Sequence, residues 1–117
     1  MFFVMPKPQG VATLNNNVGT AYTHLKDQET ALKFYFKALK MNQQQKNKRK
    51  IAKNYNNIAV SYDRMKQFQK AKEFYEKSLA IKAEFNDQKG IAITTMNIGG
   101  IYRKQKKPDS AEIHFKK

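Results

Sequence analysis

Residues 51–62 read IAKNYNNIAVSY, and the same order of apolar, polar and aromatic residues occurs twice more in the chain. Residues 11–22 read VATLNNNVGTAY and residues 91–102 read IAITTMNIGGIY, so the three copies lie 40 residues apart. Ten of 40 positions are identical between residues 11–50 and residues 51–90. Similarity at a fixed period of this size is typical of repeat proteins, in which each unit buries its apolar face against the next unit.

Each unit is predicted to contain two helices separated by a short polar turn. In the middle unit, apolar residues recur at helical spacing over residues 51–62 and again over residues 71–81. Residues 66–67 form the turn between them, and the matching turns are residues 26–28 and residues 106–109. No segment shows the strict alternation of a strand, so the pattern predicts an all-α chain.

Small residues recur at one slot of each predicted helix. In the first helix of the units the slot holds Gly19, Ala59 and Gly99; in the second helix it holds Ala31, Ala71 and Ala111. A glycine inside a helix costs about 1 kcal/mol relative to alanine, so its presence indicates that another backbone or side chain comes close. The sequence therefore predicts tightly packed antiparallel helices, with the recurring aromatics filling the gaps between successive pairs.

The connections between units differ in sequence. Gly90 lies in the segment that links the second unit to the third, and it is predicted to supply the left-handed residue that ends a helix. The matching connection after the first unit, residues 46–50, contains no glycine. There we expect either a weak break or a helix that continues into the next unit.

The composition excludes several classes of protein. The chain has 117 residues and no cysteine, so neither a disulfide framework nor a thiolate metal site can form. No stretch approaches the roughly 20 apolar residues of a membrane span, and residues 1–6 have no basic segment ahead of their apolar run, unlike a signal peptide. We expect a cytoplasmic protein without membrane contact.

The net charge is +14, from 23 basic and 9 acidic residues. A positive field of this size attracts acidic partners over long distances, and it is also a feature of nucleic-acid-binding proteins. Most of the basic residues are lysines in a chain rich in asparagine and glutamine, which is equally explained by a general Lys/Asn bias in composition. The sequence leaves these explanations open.

The spacing of small and aromatic residues resembles the tetratricopeptide repeat family. In the first two units the pattern of that family corresponds to the following residues: Val18, Gly19, Tyr22, Ala31, Tyr35 and Ala38, then Ile58, Ala59, Tyr62, Ala71, Tyr75 and Ser78. The usual repeat has about 34 residues. The longer period here resembles the variant found in bacterial regulators and in the scaffolds that orient the mitotic spindle.

The resemblance implies an α-solenoid of antiparallel helix pairs, coiled as a right-handed superhelix of about 2.5–3 repeats. Residues 1–10 are interpreted as an N-terminal extension, and the repeats as residues 11–50, 51–90 and a partial third at 91–117. Solenoids end in polar capping helices, and none follows the third repeat in this sequence. We therefore expect the chain to be part of a longer array, or to self-associate through its last repeat.

In this family the first helix of each repeat faces a concave groove, and five slots per helix line it. Carried over to this sequence, the slots are Thr13, Asn16, Thr20, Thr23 and His24; Lys53, Asn56, Val60, Asp63 and Arg64; and Ile93, Met96, Gly100, Arg103 and Lys104. One asparagine per unit flanks them, at Asn17, Asn57 and Asn97. From this surface we select as candidate partner-binding residues Asn16, Asn17, Thr20, Lys53, Asn56, Asn57, Arg64, Asn97, Arg103 and Lys104.

Two interpretations of the asparagines are compatible with the sequence. An amide offers both donors and acceptors, so a ladder of them can hold a peptide backbone whatever its side chains. The same amides could instead brace adjacent helices. Similarly, Lys53, Arg64, Arg103 and Lys104 either make the groove attractive to carboxylates or are ordinary solvated charges. Some family members clamp a terminal carboxylate with a lysine at the slot held here by Asn16, so that clamp is not predicted.

Nothing in the sequence indicates catalysis. The two histidines, His24 and His114, are far apart, and no metal-ligand spacing, phosphate loop or cofactor motif occurs. The leading hypothesis is a non-enzymatic module that binds a protein or peptide, without cofactors. A basic helical repeat that binds nucleic acid is the less favoured alternative, because no base-reading code occurs at fixed slots. A structural spacer within a larger array is the third.

Overall fold

Five α-helices account for nearly all of the chain that the structure, a computed structural model, describes, namely residues 8–106. The helices are α1 (Pro8–His24), α2 (Gln28–Gln44), α3 (Lys48–Arg64), α4 (Phe68–Glu84) and α5 (Gln88–Lys106). No strand occurs among these residues, which confirms the predicted all-α class. The second helix predicted for the third unit, with Ala111 and Phe115, lies outside the described residues, as does most of the proposed N-terminal extension. The unit boundaries themselves stay predictions.

The helices begin 20 residues apart, and all four turns have the same conformation. One residue in each turn has a positive φ: Lys26 at 64°, Lys46 at 56°, Lys66 at 62° and Asn86 at 54°. A residue in this left-handed region commonly ends a helix, because it turns the chain and lets the last carbonyls find donors. The turn within a helix pair and the turn between pairs thus both contain one left-handed residue at the same position.

Two expectations about the turns are wrong. Gly90 is not the left-handed residue after the second unit, since it lies in the first turn of α5 and Asn86 takes that role. The connection after the first unit is not soft either, because α2 ends at Gln44 and α3 begins at Lys48. The turns are defined instead by side chains that cap the N-terminus of the next helix. Asp27 and Asn47 accept hydrogen bonds from the backbone N–H of Thr30 and Lys50, at 3.1 and 3.3 Å.

The apolar faces meet in two clusters, each spanning successive helix pairs. The first joins α2 to α3 around Leu32, Tyr35, Leu39, Ile51 and Ile58. The second joins the later helices and includes the four residues Ala59, Ala71, Tyr75 and Ile101. Each helix packs mainly on the helix before it and the helix after it in the chain. This serial packing is the solenoid arrangement predicted from the sequence.

Gly19 is needed for the close approach of α1 and α2. A Cβ atom at this position would lie 2.6 Å from Cε1 of Tyr35 and 3.2 Å from the carbonyl oxygen of Ala31. The ring of Tyr35 therefore occupies the space where a side chain would be, as the small-residue pattern predicted. Gly99 and Gly100 are not in such contact within the described residues, where the nearest atoms belong to the guanidinium of Arg103.

Candidate functional site

The serial packing places α1, α3 and α5 in one layer and α2 and α4 in the other. Two of the cavities among the described residues lie on either side of α3. The first pocket, of about 270 Å³, is lined by Ala12, Thr13, Asn16, Asn42, Arg49, Lys50, Lys53 and Asn54. The second pocket, of about 320 Å³, is lined by Arg49, Ala52, Lys53, Asn56, Ile81, Lys82, Phe85 and Asp87.

The two pockets are equivalent sites in successive repeats. Ala12, Thr13, Asn16 and Asn42 of the first pocket match Ala52, Lys53, Asn56 and Lys82 of the second at a separation of 40 residues. Arg49 and Lys53 line both pockets, so α3 forms the wall between them. The two pockets thus share equivalent slots of the repeat, and their linings differ by the residues at those slots.

A chain of amide hydrogen bonds crosses the first junction. Nδ2 of Asn42 donates to Oδ1 of Asn54 at 2.6 Å, and Nδ2 of Asn54 donates to Oδ1 of Asn16 at 3.2 Å. Nδ2 of Asn57 donates to the same oxygen of Asn16 at 2.8 Å. Asn16, Asn42 and Asn54 are buried, where an unpaired amide would be costly. These four asparagines therefore tie α1, α2 and α3 together.

Comparison with known proteins agrees with this architecture. The sequence profile described as Tetratricopeptide repeat matches residues 10–84. The chain belongs to the tetratricopeptide repeat family. A search of curated proteins finds no match.

Among solved structures, this tetratricopeptide repeat chain is similar to that of BtubC (BKLC) from P. vanneervenii. The TM-score is 0.79 at 20% sequence identity, over 95% of this chain and 45% of that chain. At this level of identity the likeness shows the fold alone. The chain thus spans less than half the length of the protein it resembles.

The structure places the candidate residues of the first helix α1 in different environments. Asn16 is buried and its side-chain oxygen accepts two amide donors, so it is part of the brace rather than a free groove group. Asn17 is exposed. Thr20 donates its hydroxyl to the Asn16 carbonyl at 3.1 Å and also meets the Tyr35 hydroxyl at 3.2 Å.

The candidate residues of α3 lie closest to the two pockets. Lys53 is exposed and lines both, and Asn56 lines the second pocket. Asn57 is half-buried and donates to Asn16, which is the bracing role that the sequence left as one of two interpretations. Arg64 is exposed in the last turn of α3, away from both pockets.

The candidate residues of α5 are placed at the far end of the described chain. Nζ of Lys104 forms an ion pair with Oδ1 of Asp63 at 2.9 Å, so two predicted groove slots in successive repeats neutralise each other. Asn97 is half-buried and Arg103 is exposed, with its guanidinium close to Gly99 and Gly100. The three flanking asparagines are therefore not an equivalent ladder among the described residues.

Sequence reasoning missed four residues that shape the pockets. Arg49 and Lys82 supply cations, Phe85 supplies an aromatic wall, and Asn42 donates into the amide chain. All four come from the end of a second helix or the start of a first helix, outside the five slots carried over from the family. Alignment of Asn42 with Lys82 at the 40-residue period was the signal available, because a polar residue on the buried side of two second helices is unusual.

Proposed function

We propose that this tetratricopeptide repeat domain binds an extended segment of a partner protein along the surface formed by α1, α3 and α5. The observation that carries the proposal is the pair of adjacent pockets that share Arg49 and Lys53. Because the two cavities open on either side of one helix, a single segment can place successive side chains in both. Domains of this family generally mediate protein–protein interaction and act as scaffolds rather than as enzymes.

The chemistry of the surface changes from one repeat to the next, which favours a defined partner over non-specific adhesion. Equivalent slots are filled by Thr13 in α1, Lys53 in α3 and Ile93 in α5. Ile93 is 47% exposed, and Met96 on the following turn is 72% exposed. A segment that crosses the three helices would therefore meet polar, then basic, then apolar groups. Specificity arises from such ordered differences.

The proposal is tested with an array of immobilised peptides at about 0.15 M salt, near the physiological ionic strength at which exposed charges are screened beyond about 8 Å. We expect the wild-type domain to bind a subset of peptides and the variant Lys53→Glu to lose that subset. Lys40→Glu is the matched control, because Lys40 is exposed on α2 and lies outside both pockets. It makes the same change in net charge and should keep the subset.

The control separates a groove from a general charge effect. Equal loss of binding in Lys53→Glu and Lys40→Glu would overturn the groove assignment, since only the net charge would then matter. Absence of any bound peptide would overturn the function itself. Asn57→Ala is a poor probe here, because it removes a donor to Asn16 and so perturbs the packing of α1 on α3.

A membrane-spanning role finds no support in the described helices. Within residues 8–106 no helix is both long enough and apolar enough to cross a lipid bilayer. Cytoplasmic location, self-association through the last repeat and membership of a longer array stay predictions.

A further inference from the structure

The two junctions differ at the positions that bridge them. At the first junction Asn42 of α2 donates to Asn54 of α3 at 2.6 Å. Forty residues later the matching pair is Lys82 of α4 and Thr94 of α5, in which Nζ of Lys82 donates to the Thr94 hydroxyl at 2.8 Å. The Asn42–Asn54 pair is neutral, and Asn54 extends the hydrogen-bond chain by donating to Asn16. Lys82 instead carries a positive charge, and Thr94 has no side-chain amide with which to extend a chain.

As a result, equivalent asparagines have different partners. Oδ1 of Asn16 accepts hydrogen bonds from both Asn54 and Asn57 at the first junction. Asn56 occupies the same slot in the next repeat, and its Oδ1 is buried without a hydrogen-bond donor among the described residues. Oδ1 of Asn42, beside the first pocket, is likewise buried without a donor among the described residues, so this feature does not distinguish the two pockets.

The second pocket is also positively charged. Arg49, Lys53 and Lys82 line it, against the single carboxylate of Asp87. That carboxylate is already engaged, because its Oδ1 accepts a hydrogen bond from the backbone N–H of Gly90 at 3.0 Å and so caps α5. Burial lowers the pKa of Lys82, although Asp87 partly opposes this. The lysine is thus a cation whose hydration is reduced, and an incoming anion would compensate it.

An apolar wall fixes the geometry of the pocket. The guanidinium of Arg49 lies over the ring of Phe85, 4.2 Å from its centroid, in a stacked arrangement that holds the side chain in place. Phe85 and Ile81 form the apolar side of the cavity. The pocket accordingly offers cations on one side and an apolar surface, against which methylene groups can pack, on the other.

From this arrangement we infer that the second pocket receives an internal glutamate or aspartate of the bound segment. Its carboxylate lies between Arg49 and Lys53, and its methylene carbons pack on Ile81 and Phe85. The inference rests on the proposed function and names the kind of residue that the groove selects.

The experiment uses two mixtures of octapeptides, acetylated and amidated at their ends, identical except for a central Glu or a central Gln. Retention on the immobilised 117-residue chain is measured at about 0.15 M salt. We expect the Glu mixture to be retained about tenfold more strongly than the Gln mixture, the effect of one charge-assisted hydrogen bond. Capped ends ensure that a terminal carboxylate does not contribute.

Two variants locate the preference in the second pocket. In Arg49→Gln the Glu and Gln mixtures should be retained within about twofold of each other, because the charge-assisted contact is lost. Lys50→Gln is the matched control: Lys50 lines the first pocket only, where its Nζ donates to the Thr13 hydroxyl at 3.1 Å. It should keep the full ratio of Glu to Gln retention, while total retention of both mixtures falls because the first pocket also contacts the segment. Circular dichroism confirms that both variants remain helical.

The outcomes separate the inference from the proposed function. Retention of both mixtures with no Glu preference, or loss of preference in Lys50→Gln but not in Arg49→Gln, would overturn the inference and leave groove binding intact. No retention of either mixture, with no subset on the peptide array, would overturn both. Stronger retention of a single-stranded oligothymidylate that is likewise lost in Arg49→Gln would replace the peptide by nucleic acid.

Discussion

The first and second helix pairs bury the same aromatic side chain in two different polar settings. Between α1 and α2 the hydroxyl of Tyr35 lies 3.2 Å from the Thr20 hydroxyl and 3.1 Å from the Thr23 hydroxyl. Between α3 and α4 the matching residue is Tyr75, whose neighbours at those slots are Val60 and Asp63. Asp63 instead forms an ion pair with Lys104 of the next repeat.

The small residue that faces the tyrosine ring also differs between the two helix pairs. Gly19 leaves room for the Tyr35 ring, whereas Ala59 is accepted beside Tyr75, and both Ala59 and Tyr75 are buried. The apolar pattern alone therefore maintains the repeat, and the polar slots are free to vary. In the first pair Thr20 and Thr23 form hydrogen bonds with Tyr35, whereas in the second pair Asp63 forms an ion pair with Lys104 of the next repeat.

Removing the amide chain at the first junction should have the largest effect on stability. Asn54 is 1% exposed and both accepts from Asn42 and donates to Asn16. We expect Asn54→Ala to reduce the free energy of unfolding by about 2–4 kcal/mol, because it leaves buried amide groups unpaired and opens a small cavity. Urea denaturation measures the change. Thr94→Ala at the second junction should cost clearly less, and an equal cost would show that the two junctions are braced alike.

The ionisation of Tyr75 provides a pH test of the second pair. Burial, and secondarily the Asp63 carboxylate, raises the pKa of Tyr75 from 10.0 to about 12. Above pH 10 the unfolded chain ionises this phenol while the folded chain keeps it neutral until about pH 12. The tyrosine should therefore lower stability by about 1.4 kcal/mol for each pH unit in that window, and contribute no such dependence below it.

The measurement is the difference in unfolding free energy between wild type and Tyr75→Phe at pH 9, 10 and 11. Phenylalanine does not ionise, so the difference should move in favour of Tyr75→Phe as the pH rises, while the lysines affect both proteins equally. A difference that is constant with pH would mean that the hydroxyl is solvated in the folded state.

Filling the small slot of the first pair should destabilise the protein moderately. In Gly19→Ala the new methyl group overlaps the Tyr35 ring, which is held by its hydroxyl contacts with Thr20 and Thr23. Overpacking costs about 1–3 kcal/mol, and the gain in helix propensity offsets about 1 kcal/mol of it. We expect a net loss of about 1 kcal/mol in thermal or urea unfolding.

Gly10→Ala is the control for this substitution, since nothing lies within 4 Å of a Cβ at Gly10 in the same helix. It should be neutral or slightly stabilising. If Gly19→Ala behaved like Gly10→Ala, the Tyr35 ring would have room to move, and the contrast between the two pairs would disappear.

The smallest expected effect concerns the turns that both pairs share. Lys66 has φ 62°, a conformation that costs an L-residue about 1–2 kcal/mol and glycine little. Glycine loses more backbone entropy on folding, so Lys66→Gly should stabilise the protein by no more than about 1 kcal/mol. Lys40→Gly, within α2, should instead destabilise by about 1 kcal/mol. A destabilising Lys66→Gly would show that the lysine side chain contributes something beyond the turn.

The sequence was sufficient to predict the helices, their pairing and the tight packing at Gly19. These features follow from the spacing of apolar residues and from residue size, and both patterns recur every 40 residues in the sequence. The residue that ends the second helix of the second unit was predicted wrongly. Glycine is the commoner left-handed residue at a helix end, so Gly90 was chosen, but Asn86 can also adopt a positive φ and does so here.

The binding surface could be predicted only in part. Lys53 and Asn56, whose slots were carried over from the family, line a pocket, and their role in binding a partner stays a prediction. That Asn16 and Asn57 bond to each other depends on how α1 and α3 sit side by side, and Arg49 is oriented by Phe85 from another helix. Contacts between helices distant in sequence are not encoded by the spacing within either one.

Serial packing has a consequence for how the molecule opens. Among the described helices, α1 and α5 each pack mainly on one other, while α3 is held on both sides and by the amides that cross from α1 and α2. Within residues 8–106, the amide protons of α3 should therefore exchange with solvent most slowly. The wall between the two pockets is then the most rigid of these helices, so a partner meets a surface that is formed before it binds.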